Sequence, residues 1–400
     1  MFFLLLIPLS VSAGDGGDKK KVPGILKPVM WVKTLIDSMA VATVDRSYIE
    51  QPKKAWAVEW RNEASGNLLK MTTDFPLKQG STGSLTAKNS NGFSASTGLW
   101  LGYRGYGLGL SKELTHGDGS TISFGAMGGS FGINLRINSY HNSEPQVRLK
   151  FSSAEKTFDE KEHAKLNDPI HVRSLFLDGY YMFNGKHFSY AAAYDQSLIQ
   201  KRSAGSLMAG AMYYHSRVSF DDSSNWPLIA FMRGVGKFKF TQASIGFGYA
   251  YNWVPAKGWL ISAQAMPMLQ FYNRIKANSY SLKYHGIDFT KMLEDNFEKF
   301  IMDDNDYEGD DAGGYDDTDD DAGGYDDTDD DAGFTIAEKD EYKANNYIGF
   351  NFDARLAVIY NWSNFYIRVY GHYNRFRYSN DVGYGRMSEW RAYASLGLRF

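Results

Sequence analysis

The chain has 400 residues, a formal net charge of −3, no cysteine, 40 glycines, and 26 Phe, 27 Tyr and 9 Trp. The absence of cysteine excludes disulfide scaffolds, thiolate zinc sites, iron–sulfur clusters and thiol nucleophiles. A composition with 43% hydrophobic residues, lacking a series of apolar runs of roughly 20 residues, also excludes a polytopic helical membrane protein.

The small net charge conceals a division. Residues 303–331 hold 16 Asp/Glu and no Lys/Arg, which leaves +13 on the rest of the chain. A basic, Tyr- and Gly-rich body thus carries one intensely acidic insert.

Residues 1–13, MFFLLLIPLSVSA, form the one long apolar run. It is too short to span a bilayer and ends in small residues, Val11-Ser12-Ala13, so it reads as a signal peptide, although no Lys or Arg precedes its apolar core. Residues 14–54 then read as an N-terminal periplasmic segment.

From residue 55 to 400 the dominant period is two, the mark of strands. Phe131, Ile133, Leu135 and Ile137 share one face against Asn134, Arg136 and Asn138. Val147, Leu149 and Phe151 oppose Arg148 and Lys150. Phe352, Ala354, Leu356 and Val358 oppose Asp353 and Arg355, and the chain closes with Trp390, Ala392, Leu396, Leu398 and Phe400 against Arg391 and Arg399. Candidate strands fall at 55–63, 67–75, 93–103, 105–112, 129–140, 146–152, 172–183, 186–195, 204–217, 237–252, 258–272, 346–361, 364–378 and 387–400.

Many of these exceed the five or six residues usual in soluble sheets. They suit an all-β transmembrane antiparallel β-barrel, apolar outward, polar inward, with Tyr and Trp near strand ends. Tight turns at 254–258 and 361–364 belong to the periplasmic side and long loops to the outside. By that alternation the Asn184-Gly185 hairpin turn falls on the wrong side, so either one strand is false or another is hidden. The expected number is even, twelve or fourteen. The apolar last strand ending in Phe400 is the type of signal the barrel-assembly machinery reads. That machinery and outer-membrane lipid are the expected partners; nucleic acid is not.

The stretch GYYMFNGKHFSYAAAYDQSLIQKRSAGSLMAGAMYY at 179–214 is the most distinctive. With Ser47-Tyr48-Ile49-Glu50, AWAVEW at 55–60, YRGYGLGLS at 103–111 and SIGFGYAYNW at 244–253, it resembles an uncharacterised family of Bacteroidales outer-membrane-type proteins catalogued as a domain of unknown function. The resemblance covers nearly all of 36–400. It implies an outer-membrane barrel of a Gram-negative envelope and implies no activity.

The insert 273–345 reads as a long extracellular loop. Within it, residues 288–302 pattern as an amphipathic helix with Asp288 as N-cap. The sequence DAGGYDDTDD then occurs twice, at 311–320 and 321–330, and begins a third time, making 303–333 a low-complexity acidic tract that repels itself into an extended coil. Asp304, Asp306 and Glu308 match the first half of an EF-hand loop, but its twelfth position is Tyr315 rather than a bidentate Glu. Weak divalent binding is therefore the most this tract offers.

No HExxH, GxSxG or Walker motif occurs, so no cofactor is expected. His187 and Ser189, two apart on one strand face, are the sole hint of an outer-membrane lipid hydrolase, and a weak one beside the reading as polar lumen residues. The inward positions Arg136, Arg148, Lys150, Arg355, Arg368, Arg391 and Arg399, set against Asp178, Asp353 and Glu389, suggest either an electropositive lumen or charges that pair with carboxylates and fill a narrow barrel. Passive passage or capture of a small anionic or amphiphilic molecule is the first functional expectation. A surface structural or interaction protein acting through the acidic loop is the second, and a lipid-acting enzyme the third.

Overall fold

The computed structural model describes residues 44–76, 82–90, 93–115, 119–144, 146–152, 157–163, 165–231, 234–284, 287–288, 334–346, 349–380 and 383–400. The expected signal peptide, the 288–302 helix beyond Asp288 and the acidic repeats with Asp304, Asp306 and Glu308 lie outside the described residues.

Twelve strands close into one antiparallel wall: β1 (Trp56–Pro76), β2 (Ser94–Tyr103), β3 (Tyr106–Glu113), β4 (Ser120–Met127), β5 (Phe131–Asn142), β6 (Ile170–Met182), β7 (Ala204–Ser219), β8 (Val235–Trp253), β9 (Trp259–Tyr284), β10 (Gly349–Trp362), β11 (Phe365–Asn380) and β12 (Gly383–Arg399). Each pairs with the next, and β12 returns to β1 from Arg399↔Ala57 to Gly383↔Thr73. Closure satisfies every strand edge, the condition for a sheet to cross hydrocarbon.

Alternation sets the two faces. In β6, Phe176, Asp178, Tyr180 and Met182 are buried in the lumen while Leu177 and Tyr181 face out. In β8, Ile245, Phe247, Tyr249, Tyr251 and Trp253 all face out. Phe247 is 69% and Phe350 72% exposed, which water would penalise and lipid rewards. At the short-turn end the outer aromatics pair into a girdle: Trp56 with Tyr103 at 4.7 Å and Trp259 with Tyr360 at 4.9 Å between ring centroids.

That end carries the turns Arg104-Gly105, 128–130, 254–258 and Ser363-Asn364 and is the periplasmic side by the rule that short turns lie there. Gly105 takes φ +91° in its turn, a conformation glycine enters without steric cost.

The structure corrects four strand expectations. Residues 55–63 and 67–75 are one strand, β1. Residues 186–195 are not in the wall: they enter the lumen and form helix α1 (Tyr190–Tyr194). Its Tyr-Ala-Ala-Ala-Tyr sequence favours a helix, since alanine is the best helix former, and the Ser189 hydroxyl caps it by accepting from Ala192 N at 3.1 Å. Strand β4 was not anticipated, because its inward residues are Thr121, Ser123 and Gly125 and only Ile122 and Phe124 mark its outer face. Residues 146–152 form a strand outside the wall, paired with 82–90 and 157–163, because β5 and β6 pair directly and expel the chain between them. With 186–195 removed from the wall, Asn184-Gly185 lies on the periplasmic side, and the parity conflict disappears.

The wall also rises far beyond a bilayer. β9 has 26 residues and β1 has 21, against the roughly 9–11 that a tilted strand needs to cross. The upper part of β9 pairs with strand 334–346 and that of β1 with 82–90. A second short helix, α2 (Trp226–Phe231), packs Ile229 against Phe220, Phe238 and Leu282 on the same outer side.

The segment 183–203 docks where the wall lacks a side chain: a Cβ on Gly132 would come within 2.2 Å of Tyr190 Cε1. Gly132→Leu is expected to displace α1 while the barrel still closes. Limited proteolysis from the periplasmic side would then cut within 184–203, and heat-modifiability on gels would remain; an uncut segment in the folded variant contradicts the docking.

Candidate functional site: the filled lumen

The lumen is occupied by a plug, residues 184–203, that enters from the periplasmic end. Tyr190, Ala191, Ala192, Ala193 and Tyr194 are all buried. Asn252 Nδ2 from β8 donates to Ser189 O at 3.0 Å and to Gln200 Oε1 at 3.1 Å, and Ser189 N donates to the same Gln200 oxygen at 2.9 Å. The chain before β1 holds the plug from below: Ile49–Glu50 pairs antiparallel with Ile199–Gln200, Asp45 N donates to Lys186 O, and Lys201 N donates to Tyr48 O.

Three of the arginines expected in the lumen grip this plug. Arg355 of β10 donates from Nη1 to Tyr190 OH at 2.7 Å and from Nη2 to Asp178 Oδ2 at 2.7 Å and to Tyr180 OH. Arg368 of β11 donates from Nη1 to Tyr194 O and from Nη2 to Glu59 Oε2 at 2.7 Å. Arg399 of β12 donates from Nε to Gln196 O at 3.1 Å and from Nη2 to Asn361 Oδ1 at 2.7 Å. Arg368 thereby reaches the last carbonyl of α1, where a helix leaves acceptors open, and Arg399 reaches a carbonyl two residues beyond it.

Arg391 and Arg136 act higher up. Arg391 pairs with Glu389 and, at 2.7 Å, with Glu63; Arg136 crosses from β5 to Glu389 of β12 at 3.3 Å. Glu59 accepts from Arg61 at 2.6 Å and from Tyr366 OH at 2.8 Å in addition to Arg368. His372 Nε2 lies 2.5 Å from Asp353 Oδ2. Above these pairs Phe176, Tyr214 and Phe376 meet across the lumen, with Tyr214 stacked on Phe376 at 5.3 Å. Arg136 lies over Phe176 at 5.0 Å.

The strand that carries Arg148 and Lys150, 146–152, pairs with 82–90 and 157–163 and is not one of the twelve that close the wall. Glu59, Glu63 and Arg61 were missed. They lie on β1 in WAVEWRNEAS, where Trp56, Val58 and Trp60 mark the outer face but the polar run Arg61-Asn62-Glu63 blurs the alternation beyond them. Once these carboxylates are counted, the lumen is close to neutral: each wall arginine named here has a carboxylate partner except Arg399. Arg399 instead borders a cleft of ≈ 260 Å³ at the periplasmic mouth with Lys53, Lys54, Trp56, Arg104 and Asp195. A second cavity of ≈ 100 Å³ persists inside, lined by Arg61, Glu63, Trp100, Arg136 and Tyr194 among others.

His187 and Ser189 do not form a dyad. Ser189 is buried and its hydroxyl caps α1, whereas His187 turns to Asp45 at 3.4 Å and to Asn184 at 3.2 Å. Among the described residues no three His, Asp or Glu come together as metal ligands.

Residues 43–400 match the family described as Domain of unknown function (DUF4421). The chain belongs to that family. No curated protein matches it. Among solved structures it is similar to the outer-membrane protease OmpT of Escherichia coli at 9% identity and a TM-score of 0.40, over 87% of this chain and 97% of that one. It is similar to OprG of Pseudomonas aeruginosa at 10% and 0.24, over 88% and 99%, and to the toluene transporter TodX of P. putida at 8% and 0.26, over 86% and 90%. Likenesses this remote say nothing of the task. The closed wall, its lipid-facing belt and its aromatic girdle make this family member an outer-membrane β-barrel of the Gram-negative type.

Two outcomes follow from the lumen. Arg355→Met removes the one guanidinium in direct contact with the buried Asp178 and Asp353, and the folded barrel should lose about 3–5 kcal/mol, read as a lower unfolding midpoint; an unchanged midpoint contradicts the pairing. Asp195, at the end of α1 and outside the wall strands, accepts from Ser197 N at 2.7 Å, and burial pushes its carboxyl up to about 6. A carboxyl raised on folding leaves stability intact below its unfolded pKa near 4 and costs progressively more as pH climbs to 6. Asp195→Asn, which keeps the acceptor, should therefore raise the melting temperature at pH 8 and change it little at pH 4.

Proposed function

We propose that this barrel works at the cell surface as an interaction protein and passes no stream of solute through its lumen. The observation that carries this reading is the Arg355 bridge, which ties β10 to Asp178 on β6 and to Tyr190 of the plug in one buried cluster. A twelve-stranded lumen lies between side-chain-filled small barrels and the aqueous 16–18-stranded porins. Here the plug, the arginine pairs and the Phe176–Tyr214–Phe376 stack take up that intermediate width. What the molecule offers instead is extended sheet above the bilayer and the insert between β9 and β10 with its acidic repeats, a chemistry that suits a polycationic partner.

In planar bilayers the full chain is expected to give no stepwise conductance, and deletion of 303–333 should leave the barrel folded while abolishing retention of polylysine at low salt. Steady ion conductance by the intact protein overturns the reading.

Capture of a small anionic solute is the second reading. The inner cavity favours it, since Trp100 Nε1 and Arg136 Nε in its lining are buried without hydrogen-bond partners. A carboxylate or phosphate that raises the unfolding midpoint of the wild type, but not of Trp100→Phe, would support it.

A further inference from the structure

The outer wall carries a ladder of like charges. Arg173 of β6 is directly opposite Arg217 of β7, Arg217 is opposite Lys239 of β8, Lys239 is opposite Lys276 of β9, and Lys276 is opposite Lys343 of strand 334–346. The inward neighbours of these residues, such as Val172, Ser216 and Phe238, are buried, so the five cations stand on the outer face in one row. At 4.7–4.9 Å per strand the row is about 20 Å long.

Like charges directly opposite one another in a sheet are destabilising. Glu341 relieves one end of the row, 2.5 Å from Lys276 and 4.0 Å from Lys343. Arg173, Arg217 and Lys239 have no carboxylate within ion-pair range among the described residues. Glu341 also reaches Lys239 through space, but at the Arg173–Arg217 end no described carboxylate offsets the repulsion, which costs stability unless something anionic lies along it.

Its height indicates what that is. Two rows nearer the periplasm, on the same outer face, Leu177, Tyr213 and Tyr272 open the lipid-facing belt. Four residues along strands tilted by roughly 40° raise the cations about 10 Å above that edge, into the depth of the outer-leaflet headgroups. A molecule touching this row also touches the belt beneath it.

We propose that the Arg173–Lys343 ladder binds the phosphate groups of an anionic outer-leaflet lipid, whose acyl chains pack on the apolar belt below. The lipid closes the repulsion that the sheet register creates, and each cation near an anionic surface adds to retention. A soluble anion would meet the charges and lack the belt.

The test reconstitutes the full chain in phosphatidylcholine vesicles with and without bis-phosphorylated lipid A. It compares wild type with Arg173→Gln/Arg217→Gln/Lys239→Gln and with the equal-charge control Lys53→Gln/Lys54→Gln/Lys257→Gln at the opposite end. Lipid A should raise the unfolding midpoint of wild type and control. The ladder variant should lose that shift and retain at least about tenfold less lipid A after detergent exchange, while its midpoint in phosphatidylcholine alone is unchanged or higher, since repulsion has been removed. Equal shifts in wild type and ladder variant, an equal shift from inorganic phosphate alone, or a shift that emerges only when residues 303–333 are deleted would each overturn the proposal.

Discussion

The buried guanidinium of Arg355 is the interaction on which the rest of the lumen depends. Burying such a cation is costly unless opposite charge and acceptors surround it. Asp178 on the facing strand and the hydroxyls of Tyr180 and Tyr190 accept from its two terminal nitrogens, and Asp353 on its own strand places a second carboxylate 3.5 Å from Nε. Tyr190 belongs to the plug, so the ion pair and the plug are mutually required: without α1 the arginine loses a partner, and without the arginine α1 loses its anchor in the wall.

The same logic distributes the other inward charges. A wall of twelve strands leaves a space too wide for Leu or Val to bridge, and long arginine side chains span it while carboxylates on distant strands neutralise them. Arg368 reaches Glu59 and the Tyr194 carbonyl of α1, and Arg136 reaches Glu389 from the other side. Charges that look like the lining of a conduit thus serve as cross-ties. The aromatic stack above them and the small residues at Gly132 and in α1 fit the same geometry, since a plug held this tightly needs a wall with no side chain where Tyr190 lies.

Most wall strands were legible because each face meets a different medium. The belt residues Phe350, Phe352, Leu356 and Val358 alternate with Asn351, Asp353 and Arg355, and lipid on one side with protein on the other enforces that period. β4 was hidden because its inward positions face Trp100 and Arg136 and need only small residues, which blurs the contrast. Residues 186–195 were misread because Phe188, Tyr190 and Tyr194 give the stretch the aromatic composition of a strand; the Ser189 cap and three consecutive alanines pointed to a helix instead. Glu63, between Asn62 and Ala64, has no strong outward neighbour to fix its face, and Glu59, though set between Val58 and Trp60, was left out of the charge inventory with it, so the lumen looked more positive than it is.

By itself the sequence determined the class of structure, an exported antiparallel barrel with a basic body and an acidic insert, because period-two alternation and charge segregation are local properties of the chain. Only the tertiary structure decided that the lumen is filled, that Arg355, Arg368 and Arg399 hold a plug, and that five cations align on the outer wall. Those facts depend on register between strands far apart in sequence, such as Arg217↔Lys239 and Lys276↔Lys343. A shift of one residue would turn each side chain to the opposite face, and no local pattern records it.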